Sequence, residues 1–208
     1  MNVFILNTGR CGSTTFIKAC KHIRNYSAAH ESRVHLLGPA RLQYPPNHVE
    51  ADNRLAWFLG RLDRVYGDNA FYVHLQRSPL DTARSFAKRY DFGIIAAYRS
   101  AILIDCPPES EPVKVCLDYC ETVNRNIESF LATKSHKMTF HLEQAQQDFE
   151  QFWQMVGASG DLSEALRTWN TAYNAAADQR RYYTHPALRY GHKALRILRK
   201  LPSFVRNA

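Results

Sequence analysis

The chain opens on an unbroken apolar run, Val3-Phe4-Ile5-Leu6, the pattern of a strand covered on both faces as in a parallel sheet. Asn7 to Ser13 (NTGRCGS) interrupts it, and from Thr14 to Ile23 the residues Phe16, Ile17, Cys20 and Ile23 fall at helical spacing. Strand, loop and helix are therefore predicted in succession. Residues 26–37 follow neither period. Val49 to Tyr66 places Leu55, Phe58, Leu59 and Leu62 on one stripe, which predicts a helix stopped by Gly67-Asp68-Asn69. Phe71 to Gln76 (FYVHLQ) is the next predicted strand. Ser78-Pro79-Leu80-Asp81 then marks a helix start, with a serine cap, proline at the first helical position and an acid in the first turn.

Gly93 to Ile104 predicts a further helix, ended by Cys106-Pro107-Pro108, and Val113 to Thr133 a long one with Val113, Leu117, Cys120, Ile127 and Leu131 inward. Lys137 to Leu142 (KMTFHL) predicts a strand, and Glu143 to Val156 a helix ending before Gly157. His74 and His141 fall in predicted strands, where packing is the expected role. Alternating strands and helices imply a mostly parallel sheet covered on both sides, a three-layer α/β/α domain expected over residues 1–184. Residues 185–208 form a separate basic segment, with Arg189, Lys193, Arg196 and Lys200 on one helical stripe and Ala194, Leu195, Leu198 and Leu201 on another. Such a helix either docks its apolar face on the core or lies on anionic lipid as a peripheral membrane contact.

With 208 residues the chain has room for one domain, and 45% hydrophobic and 22% charged residues exclude global disorder. No apolar run approaches the roughly 18 residues of a membrane span, and no leader is expected before the first strand, so the expected location is cytoplasmic. Five cysteines without C-x-x-C spacing are expected to be reduced, Cys116 and Cys120 sharing one helix face. The net charge of +8 suggests an anionic partner. Nucleic acid, a phosphorylated cofactor and an acidic membrane all satisfy it.

Position in the chain separates these. A loop of small residues between a buried strand and a helix presents backbone N–H groups and the positive end of the helix dipole to an anion. Gly9, Gly12, Ser13, Thr14 and Thr15 supply that loop, Arg10 adds a permanent charge, and an ordinary capped turn is the alternative reading. A Walker A loop, G-x-x-x-x-G-K and then Ser or Thr, has Asn7 in place of its first glycine and Ser13 in place of its lysine. ATP or GTP phosphoryl transfer is thereby disfavoured.

The run Arg10-Cys11-Gly12-Ser13-Thr14, following Asn7-Thr8-Gly9 and preceding Thr15, resembles the 5′-phosphosulfate loop of sulfotransferases that use 3′-phosphoadenosine 5′-phosphosulfate, PAPS. Phe71 to Tyr90 (FYVHLQRSPLDTARSFAKRY) resembles the same family's strand, arginine-serine-proline and helix element, in which Arg77 and Ser85 match the residues that hold the 3′-phosphate. A fainter likeness covers Met138 to Asn170, with Arg167 and Asn170 as candidate contacts. The resemblance implies a P-loop-like fold, PAPS as sulfuryl donor, no metal, and a hydroxyl acceptor on a carbohydrate, glycolipid or other small molecule. It also implies that Arg10 stabilises charge on the departing bisphosphate and that a histidine or glutamate soon after the first helix takes the acceptor's proton. Glu31 is the first candidate and His30 the second, with His35, Glu50 and Asp52 behind them; pairing of Glu31 with Arg33 or Arg54 is the structural alternative. A kinase with an altered P-loop and a noncatalytic nucleic-acid-binding protein remain the competing functions, although no nucleic-acid module is recognised and no nucleic-acid partner is expected.

Overall fold

In the computed structural model, which describes residues 1–104, 106 and 110–171, β1 (Asn2–Leu6) is the central strand of a five-stranded sheet. The chain continues through α1 (Ser13–Cys20), the edge strand β2 (Ser27–His30), β3 (His48–Ala51), α2 (Leu59–Tyr66) and β4 (Ala70–Gln76). Then come α3 (Pro79–Ala87), α4 (Gly93–Ala97), α5 (Pro112–Leu131), β5 (Lys137–His141), α6 (Ala145–Met155) and α7 (Leu162–Arg167). The strand order is β2-β3-β1-β4-β5, and every pairing is parallel. The predicted helix at residues 185–208, with Arg189, Lys193, Arg196 and Lys200, lies outside the described residues.

Alternation along β1 divides the core into two layers. Val3 and Ile5 face Phe16, Ile17 and Cys20 of α1 and Phe149, Phe152 and Trp153 of α6. Phe4 and Leu6 face Leu62 of α2, Phe86 of α3 and Tyr119, Cys120 and Val123 of α5. Phe16 anchors the first layer, its ring meeting Phe140, Phe149 and Phe152 edge-on at 5.0–5.4 Å. A fully buried ring of this size contributes about 1.5–3 kcal/mol. Cys116 and Cys120 do share the buried face of α5.

Two predicted elements change and one strand is new. Position 49 does not begin a helix: His48, Glu50 and Asp52 alternate with Val49 and Ala51, and the alternation forms β3. Asp52 then accepts from Arg54 N at 2.9 Å and starts a 3-10 turn at Asn53–Trp57, so α2 begins only at Leu59. Second, β2 emerges from the unassigned stretch. Its sequence, Ser-Ala-Ala-His, has no β-branched or aromatic residue, because it is an edge strand with little apolar surface to bury. Third, the Gly93–Ile104 helix is α only as far as Ala97 and continues as a π turn, Tyr98–Ile102. His74 is buried and 3.2 Å from Asn124 Oδ1. His141 is not packed; it sits on the exposed face of the edge strand β5, with Nδ1 3.5 Å from Asp148.

From β1 the chain builds β2 and β3 on one side of the sheet, then crosses to β4 on the other. That reversal opens a crevice at the carboxyl ends of β1 and β4, where ligands bind in open α/β sheets. The two sequence segments singled out above, 7–15 and 77–85, both lead away from it.

Candidate functional site

The loop after β1 has three successive departures into left-handed backbone, at Gly9 (φ 88°), Arg10 (φ 62°) and Gly12 (φ 88°). Its folding is directed from beneath. Buried Asn7 donates to Ile5 O at 3.0 Å and accepts from Gly9 N at 2.8 Å, closing the turn at the position where a Walker loop has glycine. Tyr119 Oη donates to Thr8 O at 2.8 Å, tying the loop to α5. Cys11 is buried under the loop, its Sγ 3.0 Å from Thr8 Oγ1, and burial pushes its thiol pKa up. A Cβ on Gly12 would stand 2.6 Å from Leu142 Cδ1. Because Gly12 is the N-cap of α1, the helix start has no side-chain cap. First-turn N–H groups have no acceptor within their own helix, so this end is suited to an anion.

Arginines gather beside the loop. Arg10 Nε donates to Ser85 Oγ at 3.0 Å, and Arg77 Nη1 donates to Arg10 O at 3.3 Å. The two sequence segments thus meet directly. Burial, then the charges of Arg89 and Arg77, push the pKa of Arg10 down to about 10. Partial burial and like charges thus both oppose the guanidinium's charge, a cost that a bound polyanion would reverse. Arg89, two residues past the end of α3, was not singled out in the sequence.

The other wall comes from β2 and β3. His30 Nε2 lies 3.0 Å from Ser13 Oγ, on the loop itself. Glu31, in left-handed backbone at φ 51°, instead pairs with Arg54 Nη1 at 3.0 Å. Arg54 follows Asn53, which lies under the loop with Nδ2 3.4 Å from Thr8 O. His35 is exposed, whereas Glu50 and Asp52 are fully buried. Arg167 pairs with Glu164 at 2.8 Å, and Asn170 Oδ1 accepts from Gln146 at 2.9 Å, so both are engaged in local contacts.

No protein-family model and no curated protein sequence matches the chain. Solved structures do. A sulfotransferase domain from the curacin biosynthetic pathway superposes with a TM-score of 0.55 at 17% identity, over 82% of this chain and 78% of that one. The chain has the sulfotransferase fold. A mouse sulfotransferase, SULT7A1, solved in complex with PAP, shares the fold with a TM-score of 0.54 at 13% identity, over 93% of this chain and 82% of its own. At such identities the shared property is the sulfotransferase fold, the three-layer architecture expected from the alternation of strands and helices.

Proposed function

We propose that the chain is a sulfotransferase that takes a sulfuryl group from PAPS and passes it to a hydroxyl of a carbohydrate, glycolipid or other small acceptor. The observation that carries this reading is the meeting of Arg10, Arg77 and Ser85, from two distant motifs, at one sheet edge. The residues fit a donor with two anionic ends. The uncapped start of α1, with the Gly12 to Thr15 backbone and the Ser13 hydroxyl, suits the 5′-phosphosulfate, and Arg77, Ser85 and Arg89 suit the 3′-phosphate. Arg10 stands between them, where a permanent charge would stabilise the leaving bisphosphate.

In the transfer, the acceptor oxygen forms a bond to sulfur while the bridging sulfur–oxygen bond breaks in line, and the acceptor's proton leaves to a base. We assign that base to His30 ahead of Glu31, because the His30 ring reaches Ser13 while the Glu31 carboxylate is held by Arg54. A cytoplasmic location, with Arg189, Lys193, Arg196 and Lys200 meeting anionic lipid, belongs to the same proposal.

Calorimetric titration with adenosine 3′,5′-bisphosphate in magnesium-free buffer tests the donor assignment. Binding is expected, with adenosine 5′-phosphate far weaker; equal affinity for the two nucleotides removes the 3′-phosphate site. With PAPS and a panel of hydroxyl acceptors, His30→Gln should lose on the order of 10² to 10⁴ in turnover while still binding the bisphosphate. Unchanged turnover in that variant excludes His30 as the base.

A further inference from the structure

Residues 31–44 leave the end of β2 directly after His30, and the chain returns in β3. The surface that this connection covers is polar. His48 and Glu50 share one face of β3, Asp52 follows just past the strand, and all three are buried, while Val49 and Ala51 serve the apolar core on the other face. Tyr44 stacks on His48 at 5.5 Å, and Arg41 pairs with Asp52 out of solvent. The Glu50 carboxylate accepts from Ser32 N at 2.8 Å and from Ser32 Oγ at 2.6 Å, and lies 3.1 Å from His48 Nε2. His48 Nδ1 in turn lies 2.7 Å from Ser27 Oγ, at the start of β2.

These contacts bracket His30. The strand carrying it is tied at Ser27 through His48 and, past its end, at Ser32 through Glu50. Between the ties, Glu31 N donates to Ala51 O at 3.0 Å and Glu31 adopts its left-handed backbone. A non-glycine residue in that region persists only where its surroundings fix it. For stability alone, apolar side chains replacing Glu50 together with its polar partners would serve as well as a buried carboxylate. What the carboxylate adds is direction, through two bonds to one residue.

We propose that Glu50 is a positioning residue for His30: by gripping Ser32 at both its amide and its hydroxyl, it fixes the 30–32 turn and keeps the His30 ring on Ser13. The inference rests on the reading of His30 as the base. A displacement near 1 Å at such a group costs on the order of 10²-fold in rate, so a fixed turn has catalytic value.

The test reads the ring itself. In protein labelled with ¹⁵N in its histidine rings, the His30 signals, assigned by their loss in His30→Gln, are expected to show one tautomer. Glu50→Ala and the milder Ser32→Ala should lose that signature and give averaged nitrogen shifts. Glu50→Gln, whose amide oxygen still accepts from Ser32 N and whose amide nitrogen donates to Ser32 Oγ in place of the lost acceptor, should retain it. Titration with adenosine 3′,5′-bisphosphate should be unchanged in all three, since none touches the arginine cluster. A preserved single tautomer in both alanine variants overturns the proposal, as does loss of nucleotide binding in Ser32→Ala, which would make the effect general. If Glu50→Ala does not fold, exposed Ser32 decides alone. Averaged shifts in the unaltered protein would instead refute the contact between His30 and Ser13, and with it the choice of base.

Discussion

Replacing Arg77 by alanine isolates one end of the proposed donor site. Arg77 binds only a backbone carbonyl among its described hydrogen bonds, Arg10 O at 3.3 Å, and its charge opposes that of Arg10. The unliganded variant should therefore melt within a few degrees of the parent, and the deficit should appear on adding adenosine 3′,5′-bisphosphate. At a nucleotide concentration of 100 Kd the parent gains about 2.7 kcal/mol by linkage. For a domain of this size, at about 2–4 °C per kcal/mol, its Tm should rise by roughly 5–11 °C. Truncating one partner of a charge-assisted pair costs about 2–5 kcal/mol, so the variant's Kd should rise at least ~30-fold. The same nucleotide concentration then gives at most about 0.9 kcal/mol, a shift of no more than roughly 4 °C. Thermal unfolding at several nucleotide concentrations makes the comparison. An undiminished shift in Arg77→Ala would refute the assignment, as would an equal shift with adenosine 5′-phosphate in the parent protein.

Gly12→Ala should destabilise by about 2–4 kcal/mol in urea unfolding, combining left-handed backbone strain with overpacking, because its Cβ meets Leu142 Cδ1 at 2.6 Å. Arg41→Met strands buried Asp52 and should cost about 3–5 kcal/mol, with much of the loss recovered when Asp52→Leu is added; chemical denaturation of the single and double variants checks both. The Arg10 pKa, held down at about 10, gives binding a pH dependence: below that value the guanidinium is charged and attracts the nucleotide, and above it the attraction fades. Calorimetry should show affinity falling as pH rises from 9 to 10.5 in the parent protein, and the decline should be absent in Arg10→Ala.

Legibility in the sequence followed burial chemistry. β1 and β4 were visible because each is apolar on both faces, and α3 because Ser78, Pro79 and Asp81 are local signals that need no tertiary context. The loop and the Arg77–Ser85 element were visible for the same reason, as residue types at short spacing. β3 was obscured by its own polar face: Glu50 and Asp52 look solvent-exposed in sequence, and Ser32 and Arg41, from the connection between β2 and β3, are partners that no local pattern pairs with them. Spacing did not separate Glu31 from His30, because β2 ends at His30 and Glu31 turns into left-handed backbone that no local signal marks. Arg54 was legible as a partner for Glu31, but Arg89 required the end of α3 to be placed beside Arg10.

The parallel ladder between β1 and β4 runs in register from Asn2 with Ala70 to Leu6 with His74, and both arginine-bearing turns spring from its upper end. On the proposed reading this makes the nucleotide grip a calliper whose span is set by backbone alone, indifferent to what lies across the cleft. The opposite jaw is fastened separately, by the polar seam along β3. Exchange of residues 31–44 for another stretch that keeps Ser32 and Arg41 should therefore redirect which alcohol is modified without resetting how the nucleotide is held.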